Sequence, residues 1–300
     1  MKIELSILLA LGLVAPAVQA NLNVVATLPD LGSVAEEVGG DRIKVTSLAR
    51  GTEDPHFVDA RPSFIVVLSK ADLLIYGGAE LELGWLPPLL NSARNGKILP
   101  GAPGNLNAAI GVHLLDIPVG QVDRSQGDVH PGGNPHYMLD PLNAKIVAAS
   151  IAEKLAALDA VNAELYRANA RRFEERIDEK LVEWTKQMEP LRGSKVVTYH
   201  KSFDHFLERF GLALAGTIEP KPGIEPSPTH INALIPRMKQ EGVKLVLIEH
   251  NRPRKTPNFV VQATGSKLVL APQMVGGDNE SSDYFNLIDH LVDRLTRTAK

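Results

Sequence analysis

Three histidines stand where a chain of alternating strands and helices would bring its loops together. His56 closes Gly51-Thr52-Glu53-Asp54-Pro55-His56, after a strand ending near Leu48. His136 closes Gly132-Gly133-Asn134-Pro135-His136, ahead of a helix beginning near Pro141. His200 follows the run Lys195 to Tyr199 and precedes another helix. Open α/β sheets bind their ligands at such strand-to-helix junctions. Neutral imidazole is the commonest protein ligand for transition metals, at about 2.0–2.1 Å for zinc. Two of the three follow proline, which holds the preceding backbone extended and lowers the ordering cost of presenting a ring. A single loop histidine is ordinarily a surface or satisfied polar residue; three at equivalent junctions are harder to dismiss as that, and metal ligation is the chemistry they offer.

Composition narrows what else the chain can do. It has 300 residues, a net charge of −3 and no cysteine. The charge gives no reason to expect a nucleic-acid or anionic-membrane surface. Without cysteine there are no disulfides, thiolate catalysis, zinc fingers, iron–sulfur clusters or lipid-bearing N-terminal cysteine. A metal must be held by the nine histidines and by carboxylates.

Lys2, the apolar run Leu5 to Val14 and the small-x-small pattern Val18-Gln19-Ala20 predict a signal peptide over residues 1–20, cleaved after Ala20. The expected mature chain is soluble and exported to the periplasm.

The positioning elements follow from periodicity and punctuation. Asn23 to Leu28, Arg42 to Leu48 and Ala71 to Tyr76 read as strands, with Pro29-Asp30 offering a cap for a short helix and Arg61-Pro62-Ser63 opening another. From Pro141 to about Leu191 turn chemistry is almost absent. Val161 to Met188 reads as one helix of about 40 Å, with Leu165, Phe173, Ile177, Leu181 and Trp184 on one stripe. Its charged residues Arg171, Arg172, Glu174, Glu175 and Arg176 form a solvated face.

Strands then resume at Lys195 to Tyr199, Leu212 to Ile218, Val243 to Ile248 and Lys267 to Leu270, with helices at Ser202 to Phe210, starting at Ser227-Pro228, capped by Thr256-Pro257, and from about Ser282. The pattern predicts an α/β half, one long helix and a second α/β half, with mainly parallel sheets. The expected divisions are 21–140 for the N-terminal lobe, 141–192 for the connecting helices and 193–300 for the C-terminal lobe.

With these motifs in place, the whole mature chain resembles the periplasmic zinc- and manganese-binding receptors of ABC-type metal importers. The resemblance rests on Asp54-Pro55-His56 with Arg61-Pro62-Ser63, on Asn134-Pro135-His136-Tyr137-Met138-Leu139-Asp140-Pro141, and on Tyr199-His200-Lys201-Ser202-Phe203. Leu247-Ile248-Glu249, Val275-Gly276-Gly277 and Tyr284 also match. It implies two α/β lobes with mainly parallel sheets joined by that one long rigid helix, and a metal site in the cleft between the lobes, held by His56 and His136 from the N-terminal lobe and His200 from the C-terminal lobe. Many relatives add an aspartate that, counted back from Tyr284, falls here at Pro272 or Gln273, neither a carboxylate. The fourth position is therefore open among Glu249, water, Asp278 and His250, with water or Glu249 ranked first.

The polar segment His113 to His130 is short, and His113, His130 and Asp128 make a candidate auxiliary weak metal loop. His205 reads as structural or exposed, and His230 and His290 as surface residues of amphipathic helices.

Three imidazoles with few carboxylates suit zinc or copper, while manganese favours more oxygen donors; zinc is the expected metal, and raw affinity does not by itself select it over Cu²⁺ or Ni²⁺. The expected function is capture of Zn²⁺ and its delivery to the membrane permease of an ABC importer, by a monomer with no nucleic-acid partner. A periplasmic zinc chaperone is a further expected partner. A manganese receptor of the same type is the alternative. From other classes, a zinc hydrolase with Glu249 as general base and a metal-binding adhesin compete. Against an enzyme, there is no P-loop, no His-Glu-x-x-His and no Gly-x-Ser-x-Gly.

Overall fold

The computed structural model describes residues 21–120, 127 and 129–300. The expected signal peptide and Asp128 lie outside the described residues. Two four-stranded sheets, all parallel, form the two lobes. The first has the spatial order β2 (Ile43–Ser47), β1 (Leu22–Ala26), β3 (Leu73–Tyr76), β4 (Asn105–Asn107). Helices α1 (Pro29–Gly39), α2 (Pro62–Ser69) and α3 (Leu86–Ala93) belong to this half. The second has the order β6 (Ala213–Thr217), β5 (Lys195–Thr198), β7 (Leu245–Glu249), β8 (Lys267–Ala271). It carries α6 (Asp204–Arg209), α7 (Pro228–Glu241), α8 (Lys255–Thr264) and α9 (Tyr284–Ala299). Central strands read as unbroken apolar runs because helices cover both faces; Val24, Val25 and Ala26 are all buried.

Between the sheets run α4 (Pro141–Leu158) and α5 (Ala163–Met188). At roughly 1.5 Å per residue, α5 is about 39 Å long. It packs on α1 and α4 on one side and on α9 on the other. Its buried stripe runs Tyr166, Ala170, Phe173, Ile177, Trp184 and Met188. The expected Leu165 is exposed instead, because seven residues back from Phe173 is position 166. Phe173 packs against Tyr284 and Phe285 of α9. One hydrophobic core therefore continues from β1 through α5 into α9, while a smaller one fills the outer face of the second lobe.

Local chemistry departs from expectation at several helix starts. Asp30 does not cap α1; it is buried and accepts a 2.6 Å hydrogen bond from the Val275 amide of the second lobe. Burial pushes its carboxyl up to about 7, against that hydrogen bond. Thr256 lies inside α8 rather than capping it. Ser227 does cap α7, accepting from the His230 amide. Helix α3 and strand β4 carry no strong periodic signal in the sequence. No helix among the described residues is long and apolar enough to cross a membrane.

Candidate metal centre

His56 and His136 are delivered by the same local device. In Asp54-Pro55-His56 the aspartate Oδ1 accepts the His56 backbone N–H at 3.0 Å. In Asn134-Pro135-His136 the asparagine Oδ1 accepts the His136 N–H, also at 3.0 Å. Each Asx side chain thus closes a turn around a φ-fixed proline and points the following ring inward. The His56 loop is pinned from behind, where Pro55 accepts a hydrogen bond from the Trp85 indole and Glu53 pairs with Arg61. It also crosses tightly over the second lobe: a Cβ on Gly51 would sit 2.1 Å from the Val275 carbonyl oxygen. His200 leaves the end of β5, where the Tyr199 amide still bonds the Leu247 carbonyl of β7. That is the point at which the strand order of the second sheet reverses, and where a crevice opens.

The three rings converge. Their candidate ligand nitrogens all lie within 4.8 Å of one another, and the ring centroids are 5.1–5.3 Å apart. His136 Nε2 is buried without a hydrogen-bond partner. The other two rings are oriented from behind by carboxylates. Asp54 Oδ1 lies 2.9 Å from His56 Nδ1, and Glu219 Oε2 lies 2.9 Å from His200 Nδ1. Such partners fix the tautomer, leave Nε2 free as a lone pair and raise its basicity toward a metal.

One guanidinium ties the two carboxylates together. Arg252 lies 3.2 Å from Asp54 and 3.4 Å from Glu219, and its Nε is 3.8 Å from Glu249. Burial alone would raise the Asp54 carboxyl, but hydrogen bonding and charge from His56, with the charge of Arg252, hold it down at about 2. Burial, then repulsion from His56, His200, His130 and His205, pushes the His136 imidazole well below its ordinary value. His136 is thus neutral and ready to bind at neutral pH.

The other expected positions fall elsewhere. Glu249 is fully buried, its carboxyl raised by desolvation against Arg252 and His200, and it does not join the converging trio. Asp278 pairs with His290 at 2.9 Å and lies 3.8 Å from His250, forming a separate cluster. His290 is buried, not on the surface as expected, because Asp278 and Glu280 bracket its ring. Gln273 is buried between Ser202 and the Glu53 backbone. His205 is structural, its Nε2 on the Asn134 carbonyl.

Of the expected auxiliary loop, only His113 and His130 lie among the described residues. His113 is exposed, whereas His130 turns into the main cleft, with Nε2 3.1 Å from His56 Nε2. Burial, then repulsion from His56 and His200, holds His130 down at about 4 despite a hydrogen bond to the Ala79 backbone. Sequence reading missed Glu219 and Arg252 altogether. Glu219 had one legible signal, its place two residues beyond a strand, equivalent to that of His200.

Residues 24–298 match the family described as zinc-uptake complex component A, periplasmic. The chain belongs to this family. Its members are substrate-binding receptors of ABC importers, so this is a metal-binding receptor serving a membrane permease and its ATPase, and not an enzyme. Among relatives, the manganese ABC transporter substrate-binding lipoprotein PsaA of Streptococcus anginosus is 25% identical over 282 residues, covering 91% of this chain and 88% of its own. The high-affinity zinc uptake system protein ZnuA of Paracoccus denitrificans is 27% identical, covering 93% and 92%. A crystal structure of ZnuA superposes with a TM-score of 0.77 at 23% identity, covering 93% of this chain and all of the other. That likeness establishes the two-lobed receptor fold.

Proposed function

We propose that this receptor captures Zn²⁺ through His56, His136 and His200 and delivers it to the permease of a zinc importer. One observation supports this above the rest: imidazoles from both lobes converge with their nitrogens within 4.8 Å. The carboxylates that touch the rings, Asp54 and Glu219, are engaged on Nδ1 atoms and on Arg252, so they do not offer manganese the oxygen donors it prefers. Binding to deprotonated imidazoles of both lobes stabilises their joined state. The family includes relatives named for manganese as well as for zinc, so manganese is the reading to beat. On this reading residues 1–20 are removed after Ala20, and residues 21–300 act as a monomer in three divisions, 21–140, 141–192 and 193–300.

The test is a competitive titration of chain 21–300, stripped with chelator and offered zinc, manganese and copper. One tightly held zinc per chain, lost in His200→Ala, is the expected result. A clear preference for manganese would overturn the choice of metal, and no tight metal would overturn the site.

A further inference from the structure

His130 lies on a hydrogen-bonded turn of its own, with the Gly133 amide donating to the His130 carbonyl at 3.1 Å and Pro131 next in the chain. That turn is anchored at both ends. The Asn134 amide bonds the Leu115 carbonyl at 2.7 Å, and Asn134 Nδ2 bonds the Lys201 carbonyl beside His200. On the other side, Gly127 is pressed so close to the second lobe that a Cβ there would sit 2.2 Å from the Pro222 carbonyl oxygen. The turn therefore holds His130 over the mouth of the cleft, where it lines a cavity of about 120 Å³ with His136 and His200.

His56 Nδ1 faces Asp54 Oδ1 at 2.9 Å, which turns its Nε2 toward His130. The two Nε2 atoms stand 3.1 Å apart and the two ring centroids 5.2 Å apart, the spacing found within the trio. Two nitrogens bound to one tetrahedral zinc stand roughly 3.3 Å apart, given Zn–N distances of about 2.0–2.1 Å. This one contact has the edge length of a coordination tetrahedron, although His130 falls outside the set whose donor atoms all lie within 4.8 Å of one another.

We propose that His130 is the fourth protein ligand, closing a four-imidazole site with His56, His136 and His200. This rests on the zinc-receptor reading of the same cleft and adds to it. The fourth donor then comes neither from Glu249 nor from the Asp278 cluster, but from the turn that covers the entrance. An all-nitrogen site also disfavours manganese more strongly than three imidazoles with water would.

The test compares zinc-loaded wild type, His130→Ala and His200→Ala by X-ray absorption at the zinc edge and by chelator competition. Wild type should show four imidazoles. His130→Ala should show three with one oxygen donor, and zinc affinity lower by at least about tenfold, the smaller loss seen on removing even an outer partner of a ligand. Because His130 sits on a surface turn, the metal-free variant should melt with wild type, which separates lost ligation from lost fold. Three imidazoles in wild type, or equal affinity in His130→Ala while His200→Ala loses zinc, would overturn His130 alone. A wild-type chain that takes up no zinc would overturn both readings.

Discussion

Arg252 of the second lobe reaches Asp54 of the first at 3.2 Å, and through that carboxylate it touches the ring of His56. The same guanidinium reaches Glu219, which orients His200. Two candidate ligands on different lobes are thus aimed by carboxylates that share one counter-charge. Arg252→Gln should weaken zinc binding about 10–100-fold, as removal of outer partners of metal ligands does. It should also lower stability by about 3 kcal/mol or more, because Asp54, Glu219 and Glu249 lose their buried counter-ion. Chelator competition and urea denaturation read the two effects, and unchanged affinity would show that the clasp does not aim the rings.

Losing a ligand should cost more than losing its support. His56→Ala, His136→Ala and His200→Ala should each reduce zinc affinity by more than about 100-fold, with the metal-free fold intact by circular dichroism. Full affinity in any one of them removes that residue from the site.

Asp204 faces Asp116 across the lobe boundary, beside Lys201. Burial, then the hydrogen bond and charge of Asp116, pushes its carboxyl up to about 8. The folded chain therefore holds a proton that the unfolded chain releases near pH 4. Between about pH 4 and 8 the folded state binds more protons, so this group makes stability fall as pH rises. Asp204→Asn should flatten that slope and raise the melting temperature of the metal-free chain at pH 8. Thermal melts from pH 5 to 8 decide it, and an unchanged slope would place the proton elsewhere.

Trp184 of α5 is fully buried and donates its indole N–H to Asp289 of α9 at 2.7 Å. Trp184→Ala should cost about 3–5 kcal/mol. Because the core is continuous across the lobes, the loss should appear as one shifted transition in urea rather than two. A separate early transition of the second lobe would show that the lobes unfold independently.

Strand and helix positions were largely legible in the sequence, because parallel strands buried on both faces are unbroken apolar runs and proline marks helix starts. The Asx-Pro-His repeat was legible as two prolines, though not as two side chains capping the same amide. What stayed hidden depended on pairing across the lobes. Arg252 and Glu219 lie 33 residues apart and act on Asp54 far upstream, and no local period links them. The sequence offers His130 as a ligand of an auxiliary metal loop, because only the turn through Pro131 and Gly133 directs it into the main cleft. Asp30 looked like a helix cap because the Val275 amide it serves is 245 residues away.

A receptor must let the permease tell loaded from empty, and the shared core restricts how. A wide swing of one lobe would draw α9 off α5 and α1, where Tyr284 also bonds Ser33 and the Met138 carbonyl. Exposing Tyr284 and Phe285 alone would return on the order of 300 Å² of apolar surface to water, about 7 kcal/mol. That makes a gaping form rarer by about five orders of magnitude. Occupancy must then be advertised at the rim, in the disposition of a few loops around the ion, and the permease that docks there reads a change of surface texture rather than of shape.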